Sequence, residues 1–495
     1  MIRLEGVSYR YPGAGAEGAV ERVSFSITDG EWVAVAGGNG SGKTTLCKLI
    51  AGLSPPEAGT IEIDGRAAVE ALRLARGEPP VSIAFQDPDS QFVTSSVRHE
   101  ILFGMENLGL GAAAAEARCA EALATFDLER CRARNPHTLS GGEKQRLILA
   151  ALWSMSPRHL VLDEPFSFLD EEGRRSFLSG LRDAFKSRGR AVIWATVSRD
   201  EIYLADRVLF LEKGSVIFDG RPGELEAALP EDVLENALIG PAPPDRAGAP
   251  GRSGGRPLVG TAGAIAGPGP GAGLDPGGPP RPIHIEHARF SPEGGDFELR
   301  VKAFDLSRGE RVGVFGPSGS GKTTFLLGCS ALLPPRGGVV SLFGKPVKKQ
   351  RDFPAGRIAY LFQTPEQGFF APTVREEVAL GYRSFHGPAG ERDAVERALE
   401  KVGLSPERFL DRSPFHLSEG ERRRVALASV LILEAPVLLL DEPTIFLDGR
   451  ARRALLDVLA SLAGAGTSVL IASHDRALLD SFADRSIMIE GGEIL

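Results

Sequence analysis

Cysteine is scarce. Only Cys47, Cys119, Cys131 and Cys329 occur in 495 residues. They lie far apart, without metal-ligand or C-x-x-C spacing, which excludes a disulfide framework and a cysteine-bound metal and leaves reduced core thiols, as expected of a cytosolic protein. Long apolar runs are missing too. Stretches such as Val425 to Leu433 stop far short of the roughly 18 to 20 residues that cross a bilayer, so any membrane role is expected to pass through a partner. The opening Met1-Ile2-Arg3-Leu4-Glu5-Gly6 has no basic region leading into an apolar one, and no secretory signal is expected. Nor is basic charge in excess. The 57 Lys+Arg against 65 Asp+Glu give −8, so no field over the whole surface collects nucleic acid or anionic lipid, and no nucleic-acid partner is expected. What is present is ordinary globular usage, 42% hydrophobic and 25% charged. That excludes wholesale disorder, collagen and coiled coil, and at about 150 residues per domain the length suggests two to four domains.

The chain repeats itself. GGNGSGKTT ending at Thr45 recurs as GPSGSGKTT ending at Thr324, and LVLDEP at Leu160–Pro165 recurs as LLLDEP at Leu438–Pro443. Lys43 to Lys322 is a shift of 279 and Asp163 to Asp441 a shift of 278. Chance matches would not keep register over such a distance, so a whole domain is duplicated. Between the copies, residues 241–282 are more than half Gly and Pro, with too few apolar anchors for a core. This stretch reads as a flexible linker with a reach of roughly 35 Å. The expected units are therefore 1–240, linker 241–282, and 283–495. In each, a β-rich start (Val23–Ile27 and Trp32–Ala36; Glu298–Val301 and Arg311–Phe315) enters a Gly-rich turn and then a helix. A helix-rich middle (Ala112–Phe126; Glu391–Val402) and a buried apolar strand ending in Asp-Glu follow, giving an α/β domain with an inserted helical part.

Gly37-x-x-x-x-Gly42-Lys43-Thr44 and Gly316-x-x-x-x-Gly321-Lys322-Thr323 fit the phosphate-loop pattern, each between a predicted strand and a predicted helix. Backbone N–H groups there curl around β and γ phosphates at a helix N-terminus, the lysine adds a point charge, and the threonine hydroxyl reaches Mg²⁺. Asp163 and Asp441 close apolar strands, where a carboxylate can hold Mg²⁺. Glu164 and Glu442 come next, placed to orient or deprotonate attacking water.

With these motifs the chain resembles the nucleotide-binding subunits of ATP-binding cassette (ABC) proteins, in two fused copies. The resemblance implies two ABC-type P-loop ATPase domains of α/β class, each with a RecA-like core and a helical subdomain. It also implies nucleotide binding by Gly37, Gly38, Asn39, Gly40, Ser41, Gly42, Lys43, Thr44 and Thr45, and by Gly316, Pro317, Ser318, Gly319, Ser320, Gly321, Lys322, Thr323 and Thr324. Leu139-Ser140-Gly141-Gly142-Glu143 looks like the family's signature, and Leu417-Ser418-Glu419-Gly420-Glu421 matches it in the second copy. Gln86 and Gln363 resemble the glutamine that joins the metal site to membrane subunits, completing metal sets of Thr44, Gln86 and Asp163 and of Thr323, Gln363 and Asp441. Ser167–Asp170 and Ile445–Asp448 look like the D-loop. Tyr11 looks like the aromatic that stacks on adenine, with Phe290 near that place but one residue out of step. The triple arginine Arg422–Arg424 reads as a solvated or salt-bridged helix face.

In this family two such domains sandwich ATP head to tail, each nucleotide between one phosphate loop and the other domain's signature. The switch histidine is His474, but its counterpart is Val197, which cannot hydrogen-bond a phosphate. The second signature carries Glu419 where the family has glycine, and its charge is expected to oppose the phosphate tail. Both departures then fall on the site built on Lys43. Lys322, Thr323, Gln363, Asp441, Glu442 and His474, with Ser140, Gly141 and Gly142, are expected to carry most turnover. The run after Gln86, from Asp87 through Leu108 to Gly109, resembles ATPases of energy-coupling-factor transporters. That implies import of a vitamin, a vitamin precursor or a transition-metal ion, through a transmembrane coupling subunit and a substrate-binding membrane subunit at the cytoplasmic face of the cell membrane. The alternatives are the ATPase of a monosaccharide importer and a soluble tandem ATPase acting on ribosomes.

Overall fold

The computed structural model describes residues 1–11, 18–73, 78–166, 174, 177, 181–182, 185, 189–240, 281–292, 297–317, 319–349, 352 and 355–495. Linker residues 241–280, phosphate-loop Ser318 and the first D-loop, 167–170, lie outside them.

In the first copy a six-stranded sheet runs in the order Ser215–Gly220, Arg207–Glu212, Trp32–Ala36, Ala191–Thr196, His159–Asp163, Val81–Ala84. All neighbours are parallel except the first pair. Strands covered on both faces must be apolar throughout rather than alternating. Accordingly Trp32–Ala36, Ala191–Thr196 and His159–Asp163 are buried at every position. A separate antiparallel sheet holds Val20–Ile27, Ile2–Tyr9, Ala58–Ile63 and Arg66–Ala67. In the second copy the two parts fuse into one ten-stranded sheet. The short strand Glu493–Ile494 makes the join, pairing with Leu299–Leu306 on one side and Arg485–Glu490 on the other.

The register positions the chemistry. Asp163 lies level with Ala195, and Asp441 with Ala472, so the carboxyl-bearing strand and the strand leading to Val197 or His474 finish side by side. The helical inserts are Val97–Asn107, Ala112–Thr125 and Gly141–Ser154, and Val374–His386, Glu391–Lys401 and Glu419–Leu431. The signature stretches begin the last helix of each set for a local reason. Ser140 and Glu143, and likewise Ser418 and Glu421, form reciprocal capping boxes that satisfy the first-turn N–H groups. All four cysteines are buried and unbridged. Among the described residues, no helix is long and apolar enough to cross a membrane.

Candidate active site

Each phosphate loop joins the parallel sheet to a helix, Lys43–Ile50 or Lys322–Ser330. Gly42 turns the chain at φ 105, and a Cβ there would lie 2.3 Å from Ala19 O, so only glycine closes this turn. Lys43 Nζ donates to Gly37 O and Gly38 O at 2.9 and 3.0 Å, and Lys322 Nζ to Gly316 O and Pro317 O at 2.8 and 3.1 Å. Ser41 Oγ and Ser320 Oγ are buried without a hydrogen-bond partner among the described residues. Donors curled onto their own loop beside orphaned hydroxyls are what a phosphate tail satisfies. Thr44 Oγ1 donates to Asp163 Oδ1 at 3.1 Å, and Thr323 Oγ1 to Asp441 Oδ2 at 2.7 Å. A hydroxyl against a carboxylate is an all-oxygen donor set, which suits Mg²⁺.

Glu164 and Glu442 both adopt left-handed backbone, φ 46 and 49, pinned by N–H donation to Ala195 O at 3.2 Å and Ala472 O at 2.9 Å. Strain of this kind at two equivalent acidic residues marks a functional position. Glu164 accepts from Gln86 Nε2 at 2.9 Å and lies 3.8 Å from Lys43 Nζ. Glu442 lies 3.1 Å from His474 Nδ1 and accepts from Ser473 Oγ at 3.2 Å. Gln363, Lys322, Thr323, Asp441, Glu442 and His474 line one open cleft.

The copies touch head to tail on one side. Asn39 N donates to Asp448 Oδ2 at 2.9 Å, and Asn39 Nδ2 to Phe446 O at 2.6 Å. A Cβ added at Gly420 would lie 2.5 Å from Asn39 Nδ2, so the first phosphate loop meets the second copy's D-loop and signature. Arg453 reinforces this contact through Glu235 O at 2.9 Å and Asn236 Oδ1 at 2.8 Å. The mirror contact would involve Ser318 and 167–170, which are not described.

The model of the ABC transporter family matches residues 20–167 and 299–445. The chain belongs to that family. A Bifidobacterium longum ABC transporter ATP-binding protein is 32% identical over 98% of this chain, and the chain spans 64% of that relative's length. A Bacillus subtilis relative, 27% identical over 99% of this chain and 90% of its own, carries the provisional name HMP/thiamine import ATP-binding protein YkoD. A structure of ribosome-bound archaeal Pelota and ABCE1 aligns over 99% of this chain and 77% of that one, with a TM-score of 0.67 at 23% identity, a likeness of fold alone. This tandem ABC protein binds ATP and is an ATPase.

The two ABC centres differ electrostatically. Burial, outweighing the attraction of Lys43, pushes Glu164 up to about 7. Burial also pushes Glu442 up, but the His474 charge and hydrogen bond outweigh it and leave this carboxyl below its ordinary value. His474 is raised in turn, since Glu442 overcomes the effect of its burial. Asp441 rises to about 6 through burial.

Two sequence expectations, for the arginine run and for Glu419, need correction, and the out-of-step Phe290 has another place. Phe290 is fully buried in the core, because its out-of-step position points it into the sheet packing; Phe297 lines the second cleft instead. Tyr11 is 40% exposed beside the first loop, its hydroxyl 3.1 Å from Thr45 Oγ1. The arginine run is not one solvated face. Arg423 is 1% exposed and donates to Gln363 O and Asp441 O, both at 2.9 Å, and to Glu442 O, clamping the glutamine loop to the acidic strand end. Glu419 pairs with Arg422 on its own helix, which offsets the repulsion expected of it. The repeat does not mark the clamp, since the first copy has Gln145 at the place of Arg423.

Proposed function

We propose that this tandem ABC ATPase powers import of a vitamin, a vitamin precursor or a transition-metal ion through separate membrane subunits of the energy-coupling-factor type. Units 1–240 and 283–495, joined by linker 241–282, would lie peripherally on the cytoplasmic face of the cell membrane. The observation that carries this reading is the likeness, over 99% of the chain, to a protein named for HMP/thiamine import. Exposed apolar side chains beside both glutamine loops support it. Val93 and Phe370 occupy equivalent positions at 64% and 74% exposure. Such groups invite a partner.

In this reading the amides of 37–45 and 316–324 hold the phosphates and Tyr11 stacks on adenine. Ser140, Gly141 and Gly142, with Ser418 and Gly420, close over the opposite nucleotide. Thr44, Gln86 and Asp163, and Thr323, Gln363 and Asp441, would hold Mg²⁺. When bound, that ion neutralises phosphate charge. Glu442, kept ionised by His474, orients the attacking water, while Glu164 does so less well.

Affinity purification of the full chain from detergent-solubilised membranes, with mass spectrometry of partners and retained small molecules, tests the reading. A polytopic coupling subunit and a small substrate-binding membrane protein are expected. Recovery with monosaccharide-importer permeases, or with ribosomes, overturns it.

A further inference from the structure

The first copy holds a group of polar side chains that ATP hydrolysis does not use. His159 opens the strand whose other end is Asp163, so about 13 Å of extended backbone separates it from the nucleotide centre. Its side chain is 1% exposed, and neither ring nitrogen has a hydrogen-bond partner among the described residues. Burying an unpartnered imidazole is unfavourable unless something satisfies it. Nε2 faces Asp64 Oδ1 at 3.7 Å and Asp29 Oδ1 at 3.9 Å. Those distances are too long for hydrogen bonds, but they are the spacing of ligands around one ion. The three donor atoms all lie within 4.8 Å of one another, the one such grouping among the described residues.

The second copy provides an internal control. At the equivalent positions it has Arg308, Phe343 and Val437. The backbone is the same. Asp64 and Phe343 are both left-handed, φ 53 and 50, and their N–H groups donate at 2.9 Å to Met1 O and Pro282 O. There, however, Val437 is fully buried and the Arg357 guanidinium lies 3.6 Å from the centre of the Phe343 ring. The fold therefore requires neither the histidine nor the two acids, yet the first copy alone assembles them.

We propose that Asp29, Asp64 and His159 form a binding site for a divalent first-row transition-metal ion, which ties the base of the first copy together. One imidazole with two carboxylates suits Zn²⁺, Co²⁺, Ni²⁺ or Mn²⁺ better than Mg²⁺. The carboxylates already gather positive charge. The α-ammonium of Met1 donates to Asp29 Oδ1 at 2.8 Å and Asp64 Oδ1 at 2.7 Å, and Arg158 lies 3.0 Å from Asp64 Oδ2. The ion takes the place of the ammonium, and Arg158 stays on the outer oxygen. Burial, the largest influence on His159, holds it below its ordinary value, so its lone pair is available at neutral pH.

Chelator-stripped full chain, without nucleotide or Mg²⁺, is titrated with Zn²⁺ alone by equilibrium dialysis. The wild type is expected to bind one Zn²⁺ per chain more than His159→Val, the residue the other copy uses, or to bind it at least about tenfold more tightly. Zn²⁺ should raise the Tm of the wild type and not of that variant. Asp64→Asn, which keeps the histidine, should lose the same site and guards against a folding defect in the first variant. ATPase activity without Zn²⁺ should match the wild type in both. Equal Zn²⁺ binding by the three chains, or none retained by the wild type, overturns the proposal.

Discussion

In the second copy Glu442 is flanked by His474 and Ser473, and Arg423 ties its carbonyl to the glutamine loop. In the first, the same three places are Val197, Thr196 and Gln145. Thr196 turns its hydroxyl to Glu201 at 2.5 Å, a buried acid paired with Arg174 at 3.6 Å, where the other copy has Leu478. The two glutamates have the same backbone and the same adjoining aspartate. What separates them is who surrounds the carboxylate, and with it whether the group is pushed above or held below its ordinary value. The two centres thus share the adjoining aspartate and glutamate and differ in the groups around them.

The largest expected effect that would break this comparison is in Glu442→Gln, which should lower steady-state ATPase about 100-fold or more, while Glu164→Gln stays within about threefold of wild type. Similar losses from both would remove the asymmetry. His474→Val turns the second centre into a copy of the first. It should cost roughly tenfold to 100-fold in kcat, and Val197→His in the Glu442→Gln chain should recover several-fold, both read by phosphate release.

pH sharpens the same contrast. The ionised carboxylate is the competent form. With Glu164 at about 7, the residual rate of Glu442→Gln should fall as pH drops through 7, approaching tenfold per unit below it. Glu442 lies below the ordinary carboxylate value, so the wild-type rate should show no such loss through this group between pH 8 and 6. Smaller still is Asn39→Ala, which removes the donation to Phe446 O. At about 1 kcal/mol it should weaken nucleotide binding at the first loop roughly fivefold by equilibrium dialysis. Glu419→Gly should change little, within about twofold, because Arg422 already offsets its charge.

Much of this was legible in the chain. The phosphate loops, the strands closing in Asp-Glu, the signature caps and the Val197 departure depend on local spacing, and each falls where that spacing places it. The D-loop pairing of Asn39 with residues some 400 positions away has no local signal. Neither does Arg423, whose acceptors come from two segments, 362–363 and 441–442, distant from each other in the chain. Phe297 escaped notice because the strand register, not the neighbouring sequence, decides which aromatic faces the loop. Glu201 carries no motif signal, and only the fold buries it.

The most direct measurement is the state of the nucleotide on each loop after brief turnover. The full chain would be photolabelled with an azido-ATP analogue and Mg²⁺, and the labelled peptides mapped. The account predicts diphosphate on the peptide holding Lys322 while the peptide holding Lys43 keeps mostly triphosphate. Equal conversion on both peptides, or diphosphate confined to the Lys43 peptide, would contradict it.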